Sequence, residues 1–398
     1  MPSSNSNVRN VAWVGAALGF YAFIAIGIAE GGLGVLIPSI LNAFDLSPAT
    51  VTLLFLSQVA GYIVAALASS LLVSRIGLAW MLLLASGMLT LSLLIYALTP
   101  LWSVMVVTGV LLGLGIGLID AGINTYFAND ERNAKLLGLL HAFYGVGALL
   151  GPAVATTLLS VGLNWRSVYL VIASVVGLTI AGMMWAIVFD YKPLTVRVET
   201  SDMDAVANLR LALNTPIVLM SGLLLLIYVG TEASVGNWAY SVQVISRNTP
   251  EMVAGYSISA YWLGLTLGRL GMGVAIARLG AIRTLDGSMG LLALGLAAWV
   301  LLPDQLWSLP LIGVALGAIF PTTILLTPRR VPPALVPAAI GFLTSTASLG
   351  AATVPTVVGW LANQLNLGII PVVLLPLTGV MVILHRWLVR HAPLDSRA

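Results

Sequence analysis

The sequence predicts an all-α membrane protein with twelve transmembrane helices arranged as two parallel six-helix halves. Three observations support this prediction: an apolar composition, twelve apolar runs of membrane-spanning length, and a repeat that relates the two halves of the chain. Of the 398 residues, 59% are hydrophobic and 8% are charged, whereas a soluble domain carries about 25% charged residues. The mean hydropathy of +1.04 is that of a chain that crosses the bilayer many times.

Twelve apolar runs are each long enough to cross a bilayer, which requires about 20 residues. The longest polar interval divides the chain into a first six-helix half at 1–189, a central loop at 190–212 and a second half at 213–398. The first run is longer than the apolar core of a signal peptide, which has about 7–15 residues, so it is interpreted as the first span. The spans are predicted at 11–40, 50–74, 78–98, 101–127, 135–160, 167–189, 213–245, 252–276, 284–302, 306–327, 334–362 and 368–388.

The distribution of basic residues supports this count and predicts the orientation. Of the 17 Lys and Arg residues, 14 fall on the side of the N-terminus, two fall on the opposite side, and Arg269 lies inside a span. The two on the opposite side are Arg166 and Arg247. Because basic residues accumulate in cytoplasmic loops, both termini and the central loop are predicted to be cytoplasmic in a multi-pass protein of the cell (inner) membrane.

The two halves repeat one another at a nearly constant offset. A shift of 203 residues places Gly61 on Gly264 and Pro152 on Pro355, and a shift of 202 places Glu30 on another acid, Glu232. Span 1 therefore corresponds to span 7, span 2 to span 8, span 4 to span 10 and span 5 to span 11. Parallel repeats of this kind are typical of transporters whose halves move about a central site.

Several classes of site have no support in the sequence. The chain has no cysteine, which excludes disulfides, thiol catalysis and cysteine metal sites. No metal-ligand cluster, nucleophile motif or nucleic-acid patch is visible, and glycine runs such as 113–117 lie inside spans without the Lys-Ser/Thr of a phosphate loop. We therefore predict no enzyme activity, no metal site, no nucleic-acid partner and no cofactor other than a coupling ion, H⁺ or Na⁺. The expected partners are a small solute and the lipid bilayer, and the expected state is a monomer.

The architecture and two loop fragments resemble the major facilitator superfamily. The fragments are Ser74-Arg75-Ile76-Gly77 after span 2 and Arg278-Leu279-Gly280 after span 8. The family places an acid before the arginine, and this sequence has Ser74 and Ala277 at those positions. We therefore predict no gating ion pair of the kind that the family builds from that acid.

Four patches resemble more closely the fucose–proton symporters and their sodium-dependent glucose transporter-like relatives. The patches are Asp120–Asn124, His141–Gly147 with Pro152, Tyr228–Glu232 with Trp238, and Tyr261–Gly264 with Gly268 and Arg269. This resemblance implies proton-linked acids in spans 1 and 4, which correspond here to Glu30 and Asp120. It also implies a sugar as the solute.

Five ionisable residues are predicted within the spans and form the candidate ion-coupling site: Glu30, Asp120, Glu232, His141 and Arg269. Charges inside a membrane are costly and suggest function. The repeat predicts that Glu30 and Glu232 face each other, either as one coupling and one binding acid or as two binding acids. The alternative is a protonated carboxyl that is hydrogen-bonded to a neighbouring helix.

Two interpretations of Asp120 are open. It carries the coupling proton, or it forms a static gate pair with His141 or Arg269. For Arg269, the open partners are Asp120 in a structural pair and an anionic substrate. Asn124 lies one turn from Asp120 on the same helix face.

Polar and aromatic side chains in the spans suit a sugar, whose hydroxyl rim needs donors and acceptors and whose C–H faces need flat apolar surfaces. Helix packing is the alternative role for each of them. The candidate substrate-binding residues are Gln58, Asn124, Tyr144, Tyr228, Asn237, Trp238, Tyr261 and Trp262.

Together these observations predict a secondary active transporter that symports a neutral sugar or sugar-like solute with protons, or with sodium, by alternating access. An alternative is a proton-driven efflux antiporter of amphipathic or cationic compounds, because acids that face aromatic rings also suit a cation. A sensor or a lipid-moving protein on the same scaffold is a third alternative. The sequence leaves the identity of the solute open.

Overall fold

The computed structural model describes residues 13–128, 136–195 and 210–392. Within these ranges the regular elements are helical and no strand occurs. Twelve helices are long and apolar enough to cross a membrane, so the predicted all-α fold with twelve spans is confirmed. The charged loop at 129–135 and residues 196–209 of the predicted central loop lie outside the described residues.

The twelve helices begin and end within a few residues of the predicted spans. We number them α1 to α12 in chain order, counting a helix with an internal irregularity as one span. They are α1 Trp13–Phe44, α2 Pro48–Ile76, α3 Leu78–Leu98, α4 Trp102–Ala128, α5 Leu137–Ser160, α6 Trp165–Val188, α7 Pro216–Ser246, α8 Glu251–Leu279, α9 Ala281–Leu301, α10 Ser308–Arg329, α11 Pro333–Gln364 and α12 Ile369–His391.

The glycines of the two loop fragments form the tightest turns in the fold. Gly77 alone separates α2 from α3, and Gly280 alone separates α8 from α9. Their φ angles are 84° and 81°, a region that glycine enters without the steric cost of a Cβ atom. The repeat in the sequence therefore reflects the same one-residue reversal in both halves.

The same helix crossings also recur in the two halves. A Cβ atom on Gly147 of α5 would collide with the backbone of Ile24 on α1, and a Cβ atom on Gly350 of α11 would collide with the backbone of Leu226 on α7. Small residues allow helices to approach this closely in a membrane. The α1–α5 crossing and the α7–α11 crossing are thus equivalent, as the offset of 202–203 residues predicts.

Helices α1 to α6 pack mainly against one another, as do α7 to α12. Within the first set α1 packs on α5 and α6, α2 on α4, and α3 on α4 and α6; within the second set α7 packs on α11 and α12, α8 on α10, and α9 on α10 and α12. The two sets meet mainly through α5 with α8, α1 with α7, and α2 with α11. The domain boundaries at 1–189, 190–212 and 213–398 stay a prediction.

The contacts between the two sets lie toward the end that carries the α1–α2 connection. A Cβ atom on Gly34 of α1 would collide with the backbone of Gly236 on α7. The hydroxyl oxygens of Thr157 on α5 and Tyr256 on α8 are 2.9 Å apart. The helix sets are therefore closed against each other at this end.

The opposite end, which carries the α4–α5 connection, is open. Among the described residues, no atom lies within 4 Å of a Cβ position on Gly138 of α5 or on its repeat partner Gly341 of α11. His141, one turn into α5, is exposed. Glu30, near the middle of α1, is exposed as well. Since the other end is closed, the interior is accessible from the end of the molecule that the charge distribution predicts to be cytoplasmic.

Candidate functional site

Three acidic side chains converge on the interior from three helices. Glu30 lies near the middle of α1, Glu232 near the middle of α7, and Asp120 on the half of α4 nearer its C-terminal end. Glu30 is within electrostatic range of both other acids. The prediction that Glu30 and Glu232 approach each other across the two halves agrees with this geometry.

Glu30 is bound by a tyrosine of a neighbouring helix. The Tyr144 hydroxyl on α5 donates a hydrogen bond to Glu30 Oε2 at 2.9 Å. The Glu30 side chain is exposed although it lies mid-helix, and its bond to α5 directs it toward the space between the helix sets. Among the described residues it forms no salt bridge, so a hydroxyl group is its polar partner.

Asp120 is held in a similar way by two uncharged donors. The Tyr62 hydroxyl on α2 donates to Asp120 Oδ2 at 2.6 Å, and the Asn124 amide donates to Asp120 Oδ1 at 2.9 Å. The predicted i, i+4 pairing with Asn124 is therefore present. His141 interacts with Asp120 electrostatically, and its ring lies edge-on to Phe23 with 5.8 Å between the ring centroids.

Arg269 pairs with Glu232, which corrects the expectation that Asp120 would be its structural partner. Arg269 NH2 lies 3.4 Å from Glu232 Oε1. The Tyr228 hydroxyl donates to Glu232 Oε2, and the Tyr261 hydroxyl donates to the Glu232 backbone carbonyl at 3.0 Å. The physical reason is that α7 and α8 belong to the same helix set, whereas uncharged donors already bind the oxygens of Asp120.

The candidate substrate-binding residues separate into two groups. Asn124, Tyr144, Tyr228 and Tyr261 contact the interior acids through the hydrogen bonds given above. Trp238 is fully buried, its indole N–H donates to the Pro355 carbonyl at 3.1 Å, and its ring meets Phe55 edge-on at 5.9 Å. In this conformation Trp238 therefore packs α7 against α11 and α2.

Trp262 differs from Trp238 because its indole N–H has no hydrogen-bond partner in the part of the chain that the structure describes. The side chain is buried and lies beside the Tyr261 ring, with 5.1 Å between centroids. A buried donor without an acceptor carries a free-energy cost, and because Nε1 itself is buried, a ligand oxygen reaches it only after its neighbours move.

The two remaining candidates, Gln58 and Asn237, are half-buried at helix crossings. The backbone carbonyl of Gln58 on α2 is the closest neighbour of a Cβ atom placed on Gly113 of α4. Asn237 on α7 lies beside Gly34 of α1. Their backbones therefore contribute to packing, and the Gln58 side chain interacts with Tyr96 of α3, inside the first helix set.

Tyr62 and the charged cluster on α9 and α12 are not among the residues predicted from the sequence. Tyr62 lies one turn after Gln58 on α2, and this spacing is a signal that places both on one helix face. In the cluster, Asp286 Oδ1 lies 3.1 Å from His385 Nε2 and 3.3 Å from Arg386 NH2. This second cluster lies near the open end of the second helix set.

The site contains several oxygen acceptors and few formal cations. Among the described residues, no group of three or more His, Asp and Glu side chains is arranged to hold a metal ion. Glu30 and Asp120 each carry a carboxyl group that can take up and release a proton. Chemically, the site can exchange protons with the open end and offer hydrogen-bond donors and acceptors to a polar solute.

Comparison with known proteins gives one family match and two curated relatives. The sequence profile of the Major Facilitator Superfamily matches residues 19–335. The chain is 26% identical to the glucose/mannose transporter GlcP of Bacillus subtilis over 321 residues, which are 77% of this chain and 78% of GlcP. It is also 26% identical to Bypass of stop codon protein 6 of Saccharomyces cerevisiae over 278 residues, 64% of this chain, and spans only 56% of that protein.

Solved structures share the fold at low sequence identity. A single-residue variant of the nucleoside transporter NupG superimposes with a TM-score of 0.77 at 14% identity, over 95% of this chain and 99% of that chain. A single-residue variant of the Escherichia coli fucose:proton symporter FucP gives a TM-score of 0.63 at 14% identity, over 94% of this chain and 98% of that chain. At such identities the likeness is one of fold.

Proposed function

This chain belongs to the major facilitator superfamily of multi-pass membrane transporters, and we propose that it imports a neutral sugar or sugar-like solute by symport with protons. The observation that carries the proposal is the convergence of Glu30 and Asp120 on an accessible interior without a basic ion-pair partner among the described residues. An ionised carboxylate in a membrane is costly. Proton binding relieves this cost and changes the hydrogen bonds to Tyr144 and Tyr62.

The geometry of these hydrogen bonds supports a coupling role. A hydroxyl donor stabilises the ionised form of each acid, and a protonated acid becomes a donor itself. Proton uptake therefore changes contacts between α1 and α5 and between α2 and α4. These contacts lie within the first helix set, and three of the same helices, α1, α2 and α5, also form its contacts with the second set. A change at the acids therefore reaches the interface across which the two sets move in alternating access. Sodium remains the alternative coupling ion, since carboxylates bind either ion.

The sugar assignment has two independent supports. The relative from Bacillus subtilis is named a glucose/mannose transporter, and the match covers most of both chains. The interior also carries hydroxyl and amide groups that hydrogen-bond to a sugar, on Tyr144, Tyr62 and Asn124. A polyol fits this set of donors and acceptors better than an apolar compound does.

We also propose the orientation and the moving parts. The halves at 1–189 and 213–398 rock about the interior site, and the present conformation opens to the cytoplasm. Both termini are cytoplasmic, the protein resides in the cell membrane, and it acts as a monomer. The bias of basic residues toward one side of the spans supports this orientation.

Uptake into liposomes tests the proposal. Purified protein is reconstituted and supplied with labelled glucose, mannose, fucose and xylose, first under an inward proton gradient and then under a sodium gradient. Accumulation of one sugar that a protonophore abolishes is the expected result. Accumulation driven by the sodium gradient alone would show that the coupling ion is sodium and not the proton. Failure of every sugar under both gradients overturns sugar symport, and proton-driven export of a cationic dye would then support the efflux alternative.

A further inference from the structure

Among the described residues, the salt bridge to Arg269 distinguishes Glu232 from Glu30 and Asp120, which form none. Its two side chains are 26% and 13% exposed, so the pair borders the open interior and is not sealed in a helix interface. Arg269 also interacts electrostatically with His141 and Tyr144 on α5. The guanidinium group therefore lies where the two helix sets face each other.

An arginine in a span needs a partner of opposite charge. Glu232 provides that charge on α7, and Tyr228 holds the other carboxylate oxygen. The guanidinium group is always protonated and its planar fork matches a carboxylate or phosphate. Without Glu232, the same geometry offers an anion-binding group beside the proposed solute site.

We propose that Glu232 is the selectivity residue of the site: by neutralising Arg269, it makes the protein accept neutral sugars and exclude their acidic counterparts, the hexuronates. This proposal rests on the proposed function, and it specifies the charge of the solutes that the site accepts. It also separates Glu232 from Glu30 and Asp120. The polar partners of those two acids are hydroxyl and amide groups, whereas Glu232 is permanently matched to a cation.

Glu232 and Arg269 balance each other's charge. When one partner of a desolvated ion pair is removed, the remaining charge is left uncompensated. In Glu232→Gln the uncompensated charge is the Arg269 guanidinium, and a sugar carboxylate can replace the lost one. In Arg269→Gln it is the Glu232 carboxylate, and the ammonium group of an amino sugar can pair with it. The two substitutions should therefore shift selectivity in opposite directions.

Binding to the purified full-length chain tests the proposal with matched probes. Glucose, glucuronate and glucosamine share one ring and differ in charge, and tryptophan fluorescence or a ligand-induced rise in melting temperature reports binding. We expect Glu232→Gln to bind glucuronate at least about tenfold more tightly than the wild type, as suits a charge-assisted hydrogen bond. Arg269→Gln should gain glucosamine binding instead.

Two controls make the result specific. Glu232→Asp keeps the charge and should gain no glucuronate binding, and the double variant Glu232→Gln/Arg269→Gln should gain neither charged probe. If Glu232→Gln does not fold, Arg269→Gln tests the same balance from the other side. A folded single variant without a gain, or equal gains in the single and double variants, overturns the proposal. Failure of the wild type to bind or transport any neutral sugar overturns the proposed function instead.

Discussion

Tyr144 on α5 and Glu30 on α1 are joined by a hydrogen bond of 2.9 Å in the interior of the protein. The two helices cross closely beside this bond, because Gly147 leaves room for the α1 backbone at Ile24. The bond therefore lies within one closely packed helix pair. A change in the protonation of Glu30 acts first on the α1–α5 contact, and α5 and α1 in turn contact the other helix set.

The first prediction concerns Glu30. Glu30→Gln removes the ionisable group and keeps a hydrogen-bond acceptor for Tyr144. We expect counterflow exchange of the sugar to continue while accumulation driven by a proton gradient is lost, because exchange requires no net proton movement. Both activities are measured on the same proteoliposomes.

Tyr144→Phe is the matched control for this prediction, because it removes the hydrogen-bond donor and leaves the acid. This variant should still accumulate sugar when protons flow, at a lower rate. Full accumulation by Glu30→Gln would show that Glu30 is not a proton carrier.

The second prediction concerns Asp120, whose carboxylate binds Tyr62 at 2.6 Å and Asn124 at 2.9 Å. Asp120→Asn should retain substrate binding and exchange and lose accumulation, since the amide keeps the size of the side chain and cannot carry a proton. Tyr62→Phe keeps the acid and should keep coupling. Undiminished accumulation in Asp120→Asn would remove this residue from the coupling scheme.

The third prediction concerns the two basic residues that do not follow the orientation rule. Arg166 NH1 donates to the carbonyl oxygens of Ala97 at 3.1 Å and Thr99 at 2.6 Å, and its guanidinium lies 4.4 Å from the Trp165 ring centroid. It therefore binds the C-terminal end of α3, where the helix dipole favours a cation. Arg166→Ala should lower the free energy of unfolding by about 2 kcal/mol, the range of hydrogen bonds from a charged group.

Arg247 makes the corresponding contacts in the second helix set. It donates to the carbonyls of Trp299 and Pro303 at the end of α9, at 2.6 and 3.0 Å. Arg247→Ala should therefore destabilise the protein in the same way, whereas Arg75→Ala, at an exposed position, should change stability by a few tenths of a kcal/mol. Equal thermal stabilities of all three variants in detergent would contradict this assignment.

Much of the fold could be predicted from the sequence because the bilayer imposes simple requirements. A span needs an uninterrupted apolar run, and each run ends at polar or helix-breaking residues that are visible in the chain. The repeat can be recognised in the sequence because close helix crossings and one-residue turns require glycine, as at the turns of Gly77 and Gly280. These signals depend on local chemistry and not on which helices become neighbours.

The pairing of side chains inside the site could not be predicted in the same way. Depth along a helix suggested Asp120 as the partner of Arg269, but the rotation of α8 and its approach to α7 select Glu232. Trp238 and Trp262 are both predicted to bind substrate, yet the Trp238 indole N–H binds the Pro355 carbonyl, whereas that of Trp262 is buried without a hydrogen-bond partner among the described residues. The rotation of a helix about its axis is set by tertiary packing. In a uniformly apolar span, the hydrophobic periodicity does not indicate which face packs against which neighbour.

The fourth prediction concerns the close helix crossing at Gly147. Gly147→Ala places a methyl group against the α1 backbone, which cannot move as a flexible side chain can. We expect a loss of about 1–3 kcal/mol, typical of overpacking. Gly138→Ala on the same helix meets no atom of the described residues within 4 Å and should be neutral or stabilising, by up to about 1 kcal/mol, because alanine favours the helix. Melting temperatures of the two variants decide the comparison, and equal losses would contradict the crossing.

The last prediction concerns the closed end, where α5 and α8 meet at Thr156 and Gly255. A Cβ atom on Gly255 would lie 2.8 Å from the Thr156 Cβ, closer than the roughly 3.5–4.5 Å between the Cβ atoms of a disulfide, so a cysteine pair at these positions can be cross-linked after a small separation of α5 and α8. Because the chain contains no cysteine, the pair Thr156→Cys/Gly255→Cys can be oxidised without competing thiols. The cross-link should hold the closed end shut and abolish uptake, and reduction should restore it. Each single variant under the same oxidation should transport at its own unoxidised rate, and continued uptake by the fully cross-linked pair would show that this contact does not open during transport.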